Sequence, residues 1–245
     1  MIIGHRGASG EAPENTRASF LLAVEQGADI VEMDVHLSAD GSLVVIHDPT
    51  VDRTTNGHGL VGALTLDHLK ALDAGSWFSP RYSGEKIPTL EEVLGWVRGK
   101  VGVAVEIKRD GPIHYPGIEA RVVELLQRYD MLESSAVISF DHKAVRRVKE
   151  LRPEIAGGVL FACHPVAPSS LALDARAEAI LPHWTNLSEE LVAEAHSRGL
   201  AVSTWAVDGE EELRWVLSMG VDAVATNYPS RLASLIARAG GKPSP

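Results

Sequence analysis

Two stretches decide the fold: Ile30-Val31-Glu32-Met33-Asp34-Val35-His36-Leu37 and Val101-Gly102-Val103-Ala104-Val105-Glu106-Ile107-Lys108. Side chains alternate along a strand, so Val31, Met33, Val35 and Leu37 share one face and Ile30, Glu32, Asp34 and His36 share the other. The second stretch repeats the scheme, with Val101, Val103, Val105 and Ile107 opposite Gly102, Ala104, Glu106 and Lys108. An all-aliphatic face is suited to packing against helices. The other face turns charged only toward the C-terminal end, which is where barrel enzymes gather their active sites.

Outward from these strands, β-rich runs alternate with helical patterns, the mark of parallel α/β units. Strands are predicted at Ile2–Arg6, Ile30–Leu37, Val101–Lys108, Ala136–Phe140, Gly157–Phe161, Ala179–Leu181, Leu200–Ala206 and Ala223–Ala225. Helices are predicted at Thr16–Gln26, Leu90–Arg98, Gly117–Tyr129, His142–Leu151, Ser188–Arg198, Glu210–Ser218 and Arg231–Ala239, with a short one near Ser169–Ala175. Ser188 opens its helix, while Gly199 and Gly220 each close one before a strand. Eight strand–helix units close a (β/α)8 TIM barrel, so residues 1–245 are expected to form one α/β barrel domain ending in a frayed tail, Gly240–Pro245. The rival is a doubly wound open sheet, but no glycine-rich dinucleotide fingerprint follows the first strand. Asp40-Gly41 predicts a hairpin that folds Leu43–Ile46 back on Val35–Leu37. The segment 49–88, with a short helix at Thr65–Leu72, is longer than an ordinary connection needs. It is expected as a small insertion near the barrel mouth, where Trp77 and Phe78 act as a lid; the alternative is that it plugs an apolar gap.

The chain has 245 residues, 45% apolar and 23% charged, ordinary proportions for a globular enzyme. No stretch approaches the roughly 20 apolar residues of a membrane span. No signal-peptide pattern appears, because Met1-Ile2-Ile3 meets His5-Arg6 almost at once, so a cytoplasmic location is expected. A net charge of −10 disfavours nucleic acid and anionic membranes as partners. Any anionic small-molecule substrate must therefore find local cations or a bound metal. The single cysteine, Cys163, excludes an intrachain disulfide and a cysteine metal cluster, and its apolar neighbours predict a buried structural thiol.

Three inward carboxylates, Glu32, Asp34 and Glu106, would repel one another in a barrel mouth unless a cation offsets them. All-oxygen ligation favours one hard divalent ion, Mg²⁺ or Ca²⁺. The alternative is a structural network in which Lys108 and Arg6 neutralise the acids. His5, in Gly4-His5-Arg6-Gly7, and His47, in Ile46-His47-Asp48-Pro49, are both expected at the same rim. Two histidines beside a metal suit diester hydrolysis, one as base toward the nucleophile and one as acid toward the leaving alkoxide. Asp48 is expected to orient a histidine, though not its sequence neighbour. Of the other histidines, His36 and His183 lie near strand ends; His58, His68, His114, His142, His164 and His196 are assigned to surface or packing. Asn15 or Thr16 is expected to cap the first helix.

His5-Arg6-Gly7, Pro13-Glu14-Asn15-Thr16, Glu32-Met33-Asp34-Val35, His47-Asp48, Glu106-Ile107-Lys108, Ser139-Phe140-Asp141 and Thr204-Trp205-Ala206-Val207 occur in one order over almost the whole chain. Together they resemble the glycerophosphodiester phosphodiesterases. The resemblance implies a barrel fold and one divalent metal held by Glu32, Asp34 and Glu106. It also implies an acid/base pair, His5 and His47, phosphate contacts from Arg6 and Lys108, and a glycerol-side pocket lined by Phe140 and Trp205. Two positions depart from the pattern. Asp208 stands where an asparagine is usual, and Thr226-Asn227-Tyr228-Pro229 stands where Thr-Asp-x-Pro is usual. The activity implied is hydrolysis of glycerophosphodiesters to glycerol phosphate and an alcohol, with water or the neighbouring glycerol hydroxyl as nucleophile and the hydroxyl favoured. The rivals are a barrel-type phospholipid lyase that stops at a cyclic phosphate, and a non-catalytic binding protein.

Overall fold

The computed structural model describes residues 1–109 and 115–238. Its strands are β1 (Ile2–Gly4), β2 (Ile30–Leu37), β3 (Leu43–Val45), β4 (Gly102–Ile107), β5 (Ser135–Ser139), β6 (Ala156–Phe161), β7 (Ala179–Pro182), β8 (Ala201–Thr204) and β9 (Ala223–Thr226). Eight of them pair in parallel around a ring that closes because β1 bonds both β9 and β2. The ninth, β3, lies antiparallel on β2 with Val35 opposite Val45, as the hairpin turn predicts. The helices are α1 (Arg17–Glu25), α2 (Leu66–Ala71), α3 (Leu90–Val97), α4 (Ile118–Arg128), α5 (His142–Leu151), α6 (Pro168–Ala175), α7 (Glu189–Ser197), α8 (Glu210–Ser218) and α9 (Pro229–Arg238). This is the predicted TIM barrel with an extra strand.

The alternation in β2 and β4 explains the two-sided wall. Val31, Met33, Val35, Val103 and Val105 are buried against Phe20, Leu94, Val97, Val122 and Leu126 of the helical layer. Around the other half, Val159, Ile180, Val202 and Val224 meet Val145, Ala172, Val192, Leu213 and Leu232. Burying each such side chain contributes about 1.5–3 kcal/mol. Helix starts follow local chemistry. Thr16 caps α1, Ser188 caps α7, and Thr89 with Glu92 forms a reciprocal capping box on α3. The helix ends at Gly199 and Gly220 use glycine in the left-handed region, φ +72° and +77°.

Acidic side chains serve the opposite, N-terminal end of the barrel. Asp29 accepts from the Ile2 amide (2.6 Å), Glu178 from the Gly157 amide (2.7 Å) and Asp222 from the Val202 amide (2.7 Å). Each carboxylate precedes one strand and satisfies the first amides of its neighbour. No described helix is long and apolar enough to cross a membrane.

Several expectations are corrected. Strand β1 ends at Gly4, because Arg6 and Gly7 turn into the left-handed region at φ 54° and 84°. A Cβ at Gly7 would collide with Ser19, so the turn needs glycine there. Helix α9 begins at Pro229, whose fixed φ suits a first turn. Cys163 is exposed, since β6 stops at Phe161 and the thiol lies in the loop beyond. Ala239, the tail Gly240–Pro245 and His114 lie outside the described residues.

Within residues 49–88, α2 is capped by Thr65, and 3₁₀ turns occur at Val61–Ala63 and Pro80–Tyr82. Val51, Val61, Leu69, Ala74 and Ile87 form a small core with Val44 and Ile46. Trp77 stacks edge-on to Phe78, and Phe78 to Tyr82. Tyr82 Oη and Arg81 Nη2 both donate to the Glu11 carbonyl, at 2.9 and 2.8 Å.

Candidate active site

Asp34 on β2 lies directly opposite Glu106 on β4 in the strand register, with Glu32 one inward position below Asp34. One oxygen from each of Glu32, Asp34 and Glu106 falls within 4.8 Å of the others, and all three side chains are buried. The field there is partly balanced. Lys108 Nζ donates to Glu106 Oε1 (2.8 Å) and stands 3.4 Å from Asp34 Oδ1, while Arg6 Nε is 3.4 Å from Asp34 Oδ2. Burial opposes ionisation of Asp34, but Lys108 and Arg6 outweigh it and hold the carboxyl well below the usual range. Burial lifts Glu106 to about 7, with Asp34 adding to the effect and Lys108 opposing it. Burial, then Asp34 and Glu106, lifts Glu32 well above the usual range. Two cations therefore face three carboxylates, and Glu32 Oε1 and Asp34 Oδ1 are buried without a hydrogen-bond partner. Orphaned buried oxygens of this kind are uncommon. A hard cation fits them.

His5 and His47 enter from different elements, the loop after β1 and the chain just beyond β3. At His47, Nδ1 is 2.7 Å from Asp48 Oδ1. Asp48 thus orients its own sequence neighbour, contrary to expectation. The turn at Pro49 brings the two adjacent side chains together. At His5, Nδ1 meets a neutral acceptor, Asn227 Oδ1, at 2.8 Å. Burial, then the charge of Arg6, lowers the His5 imidazole to about 4. Arg6 itself is held by Glu14, Nη1 to Oε1 at 3.0 Å, and its backbone amide donates to Glu32 Oε2 at 2.8 Å.

A cavity of about 450 Å³ runs through the barrel interior, lined at this end by His5, Arg6, Glu32, His47, Glu106, Lys108, Phe140 and Trp205 and at the other by Gly102, Glu178 and Asp222. Asp34 sits just beneath, 1% exposed, bonded to the Asn15 amide Nδ2 at 2.8 Å. The geometry therefore brings all nine predicted site residues together. Phe140 and Trp205 pack edge to face, 5.4 Å between centroids, and Trp205 Nε1 donates to the Leu181 carbonyl at 2.9 Å. Trp77 and Phe78 do not line the cavity. Trp77 stacks on Phe78 and Phe78 on Tyr82 instead, so the structure gives the expected lid no contact with the cavity. His36 is buried beside the site, its Nδ1 3.0 Å from Tyr115 Oη and its Nε2 3.0 Å from the His47 carbonyl. His183 packs 5.0 Å from the Trp205 ring.

Four contributors were given no site role by the sequence. Asn15 is a buried tether for Asp34 rather than a cap, and its φ of +56° is a conformation asparagine tolerates better than most residues. Glu14 carries Arg6, Asn227 carries His5, and Arg53 reaches both Glu14 and Asp48. The signals were the Pro13-Glu14-Asn15-Thr16 motif and the departure at Asn227.

A closed parallel barrel with this mouth defines a TIM-barrel enzyme. Comparison supplies the family: residues 5–231 match the model of the Glycerophosphoryl diester phosphodiesterase family, and the chain belongs to it. It is 42% identical over 241 residues to the glycerophosphodiester phosphodiesterase of Caldanaerobacter subterraneus subsp. tengcongensis, covering 98% of this chain and 99% of that one. Among solved structures, an Oleispira antarctica phosphodiesterase in complex with the product sn-glycerol-3-phosphate superposes with a TM-score of 0.89. That protein is 35% identical, with 97% of this chain and 96% of that chain covered. The glycerophosphodiester phosphodiesterase of Agrobacterium tumefaciens gives a TM-score of 0.83 at 33% identity, covering 95% of this chain and 98% of that one.

Proposed function

We propose that this protein hydrolyses glycerophosphodiesters to glycerol 3-phosphate and a free alcohol, with His5 as general base and His47 as general acid. The observation that carries the reading is the asymmetry of the two histidines across one cavity. The amide oxygen of Asn227 at His5 Nδ1 calls for a proton on that nitrogen and leaves Nε2 as a lone-pair acceptor. The carboxylate of Asp48 meets His47 Nδ1 and orients the ring, which leaves Nε2 as the edge that donates to the leaving group. His5 takes the proton of the attacking glycerol 2-hydroxyl as the new phosphorus–oxygen bond forms. His47 gives a proton to the departing headgroup oxygen as the old bond breaks. Water then opens the resulting cyclic phosphate to glycerol 3-phosphate, with the two histidines exchanging roles. Arg6 and Lys108 supply positive charge facing the equatorial oxygens, where charge develops.

Glu32, Asp34 and Glu106 would hold one divalent cation, Mg²⁺ or Ca²⁺ by the hardness of the donors. Bound there, it would polarise a phosphoryl oxygen as a Lewis acid. Phe140 and Trp205 offer an apolar wall to the carbon side of the glycerol. The exposed thiol of Cys163 suits a reducing compartment, and we place the activity in the cytoplasm.

The roles are tested by glycerol 3-phosphate release from glycerophosphocholine. His5→Ala and His47→Ala should each lose about 10²–10⁴-fold in kcat, the range for general acid–base groups, while melting near the parent. A parent-like rate for either variant removes that histidine from the reaction.

A further inference from the structure

Segment 49–88 reaches the carboxylates Glu14 and Asp48 at the edge of the site through the Arg53 side chain. Its guanidinium makes four hydrogen bonds to two carboxylates: Nη1 to Glu14 Oε2 (2.8 Å), Nη2 to Glu14 Oε1 (2.8 Å), Nε to Asp48 Oδ2 (2.7 Å) and Nη2 to Asp48 Oδ1 (3.0 Å). The two oxygens that Nη2 bridges are the ones that hold the site. Asp48 Oδ1 also meets His47 Nδ1, and Glu14 Oε1 also accepts from Arg6 Nη1. We propose that Arg53 is a positioning residue that fixes His47 and Arg6 relative to one another through Asp48 and Glu14. The inference rests on the reading of His47 and Arg6 given above.

The geometry distinguishes this arrangement from an ordinary surface ion pair. Both edges of one rigid plane are in use, each on a carboxylate whose remaining capacity goes to a site residue. Asp48 and Glu14 come from different parts of the chain, the strand end after β3 and the loop before α1, and no other described side chain bonds both. The backbone carrying Arg53 is itself anchored. Val51, Thr54 and Thr55 are buried around it, and Thr55 Oγ1 donates to the Val51 carbonyl at 2.7 Å. Without the guanidinium, Asp48 is free to rotate off His47 and Glu14 is free to close on Arg6 and compete with a phosphate. The first change lowers kcat; the second raises KM. A lysine in its place offers a single point charge and cannot span four oxygens.

The test compares the parent with Arg53→Ala, Arg53→Lys and Asp48→Asn, alone and combined, by kcat and KM on glycerophosphocholine, thermal melting, and the His47 Nδ1–H proton resonance of ¹⁵N-histidine-labelled protein. Misplacement of a catalytic group by about 1 Å costs on the order of 10²-fold. Arg53→Ala should therefore lose roughly 10- to 100-fold in kcat with a raised KM, and the Nδ1–H resonance should broaden or disappear. Arg53→Lys should recover only part of this, and it keeps the proposal testable if the alanine variant folds poorly. Adding Arg53→Ala to Asp48→Asn should cost little more in kcat, because both act through one histidine. Parent-like kcat and KM in Arg53→Ala and Arg53→Lys, a retained resonance, or fully multiplicative losses in the double variant would each overturn the proposal. If the parent itself releases no glycerol 3-phosphate, the functional reading fails separately. The resonance then decides: its loss in Arg53→Ala supports the positioning network, and its retention overturns it.

Discussion

At His5, the amide of Asn227 holds one edge of the ring. Asn227 is locked in orientation because its Nδ2 donates to Asp208 Oδ2 at 2.6 Å, while Ser9 Oγ donates to its Oδ1 at 2.6 Å. The two departures noted in the sequence, Asp208 and Asn227, thus touch one another and form a compensated exchange: the carboxylate lies one bond further from His5. Burial and Arg6 keep the imidazole at about 4, so the ring is neutral at all pH values well above that. Exchanging both residues, Asn227→Asp with Asp208→Asn, returns a carboxylate to Nδ1. It stabilises the imidazolium and raises the His5 pKa, so the acid limb of the kcat/KM profile should move to higher pH. Asp34 and Glu14 add to that stabilisation, and Arg6 opposes it. An unmoved limb would mean that His5 is not the titrating base. The acids, His5 and His47 were legible because alternation and motif order placed them. Asn15, Arg53 and Asn227 were not, because their roles come from contacts across 19, 39 and 222 residues of chain that no local pattern encodes.

At the scale of elements, the barrel keeps its two ends for different purposes. The C-terminal end concentrates charge for chemistry, while the N-terminal end uses Asp29, Glu178 and Asp222 to satisfy strand amides. Asp222 accepts from both the Val202 amide and His196 Nε2 in a half-exposed setting, so Asp222→Ala should cost about 1 kcal/mol, the net scale of such bonds. That lowers Tm by roughly 2–4 °C for a chain of this size. Its kcat should stay at the parent value, and a large loss of kcat would show that the two ends are coupled. Strand and helix positions were readable because each follows from a two- or 3.6-residue period. Their ends were less so. The turn at Arg6 ends β1 early, where side-chain alternation alone would carry the strand to the histidine. Cys163 was misplaced for a related reason: the apolar run Leu160-Phe161-Ala162 continues past the point where β6 stops.

At the scale of the molecule, a net charge of −10 opposes any anionic substrate. Arg6 and Lys108 create a local exception at the mouth, but both are engaged with Glu14, Asp34 and Glu106. Three buried acids against two cations leave the site short of positive charge, and that deficit is the physical reason for proposing a divalent ion there. The most direct measurement is the rate of glycerol 3-phosphate release from glycerophosphocholine by chelator-treated protein as Mg²⁺ or Ca²⁺ is titrated back. Activity should vanish on chelation and return saturably with one of these ions, and Glu32→Gln and Glu106→Gln should weaken the metal response. Full turnover in excess chelator, by protein free of bound metal, would contradict the proposal of a divalent ion.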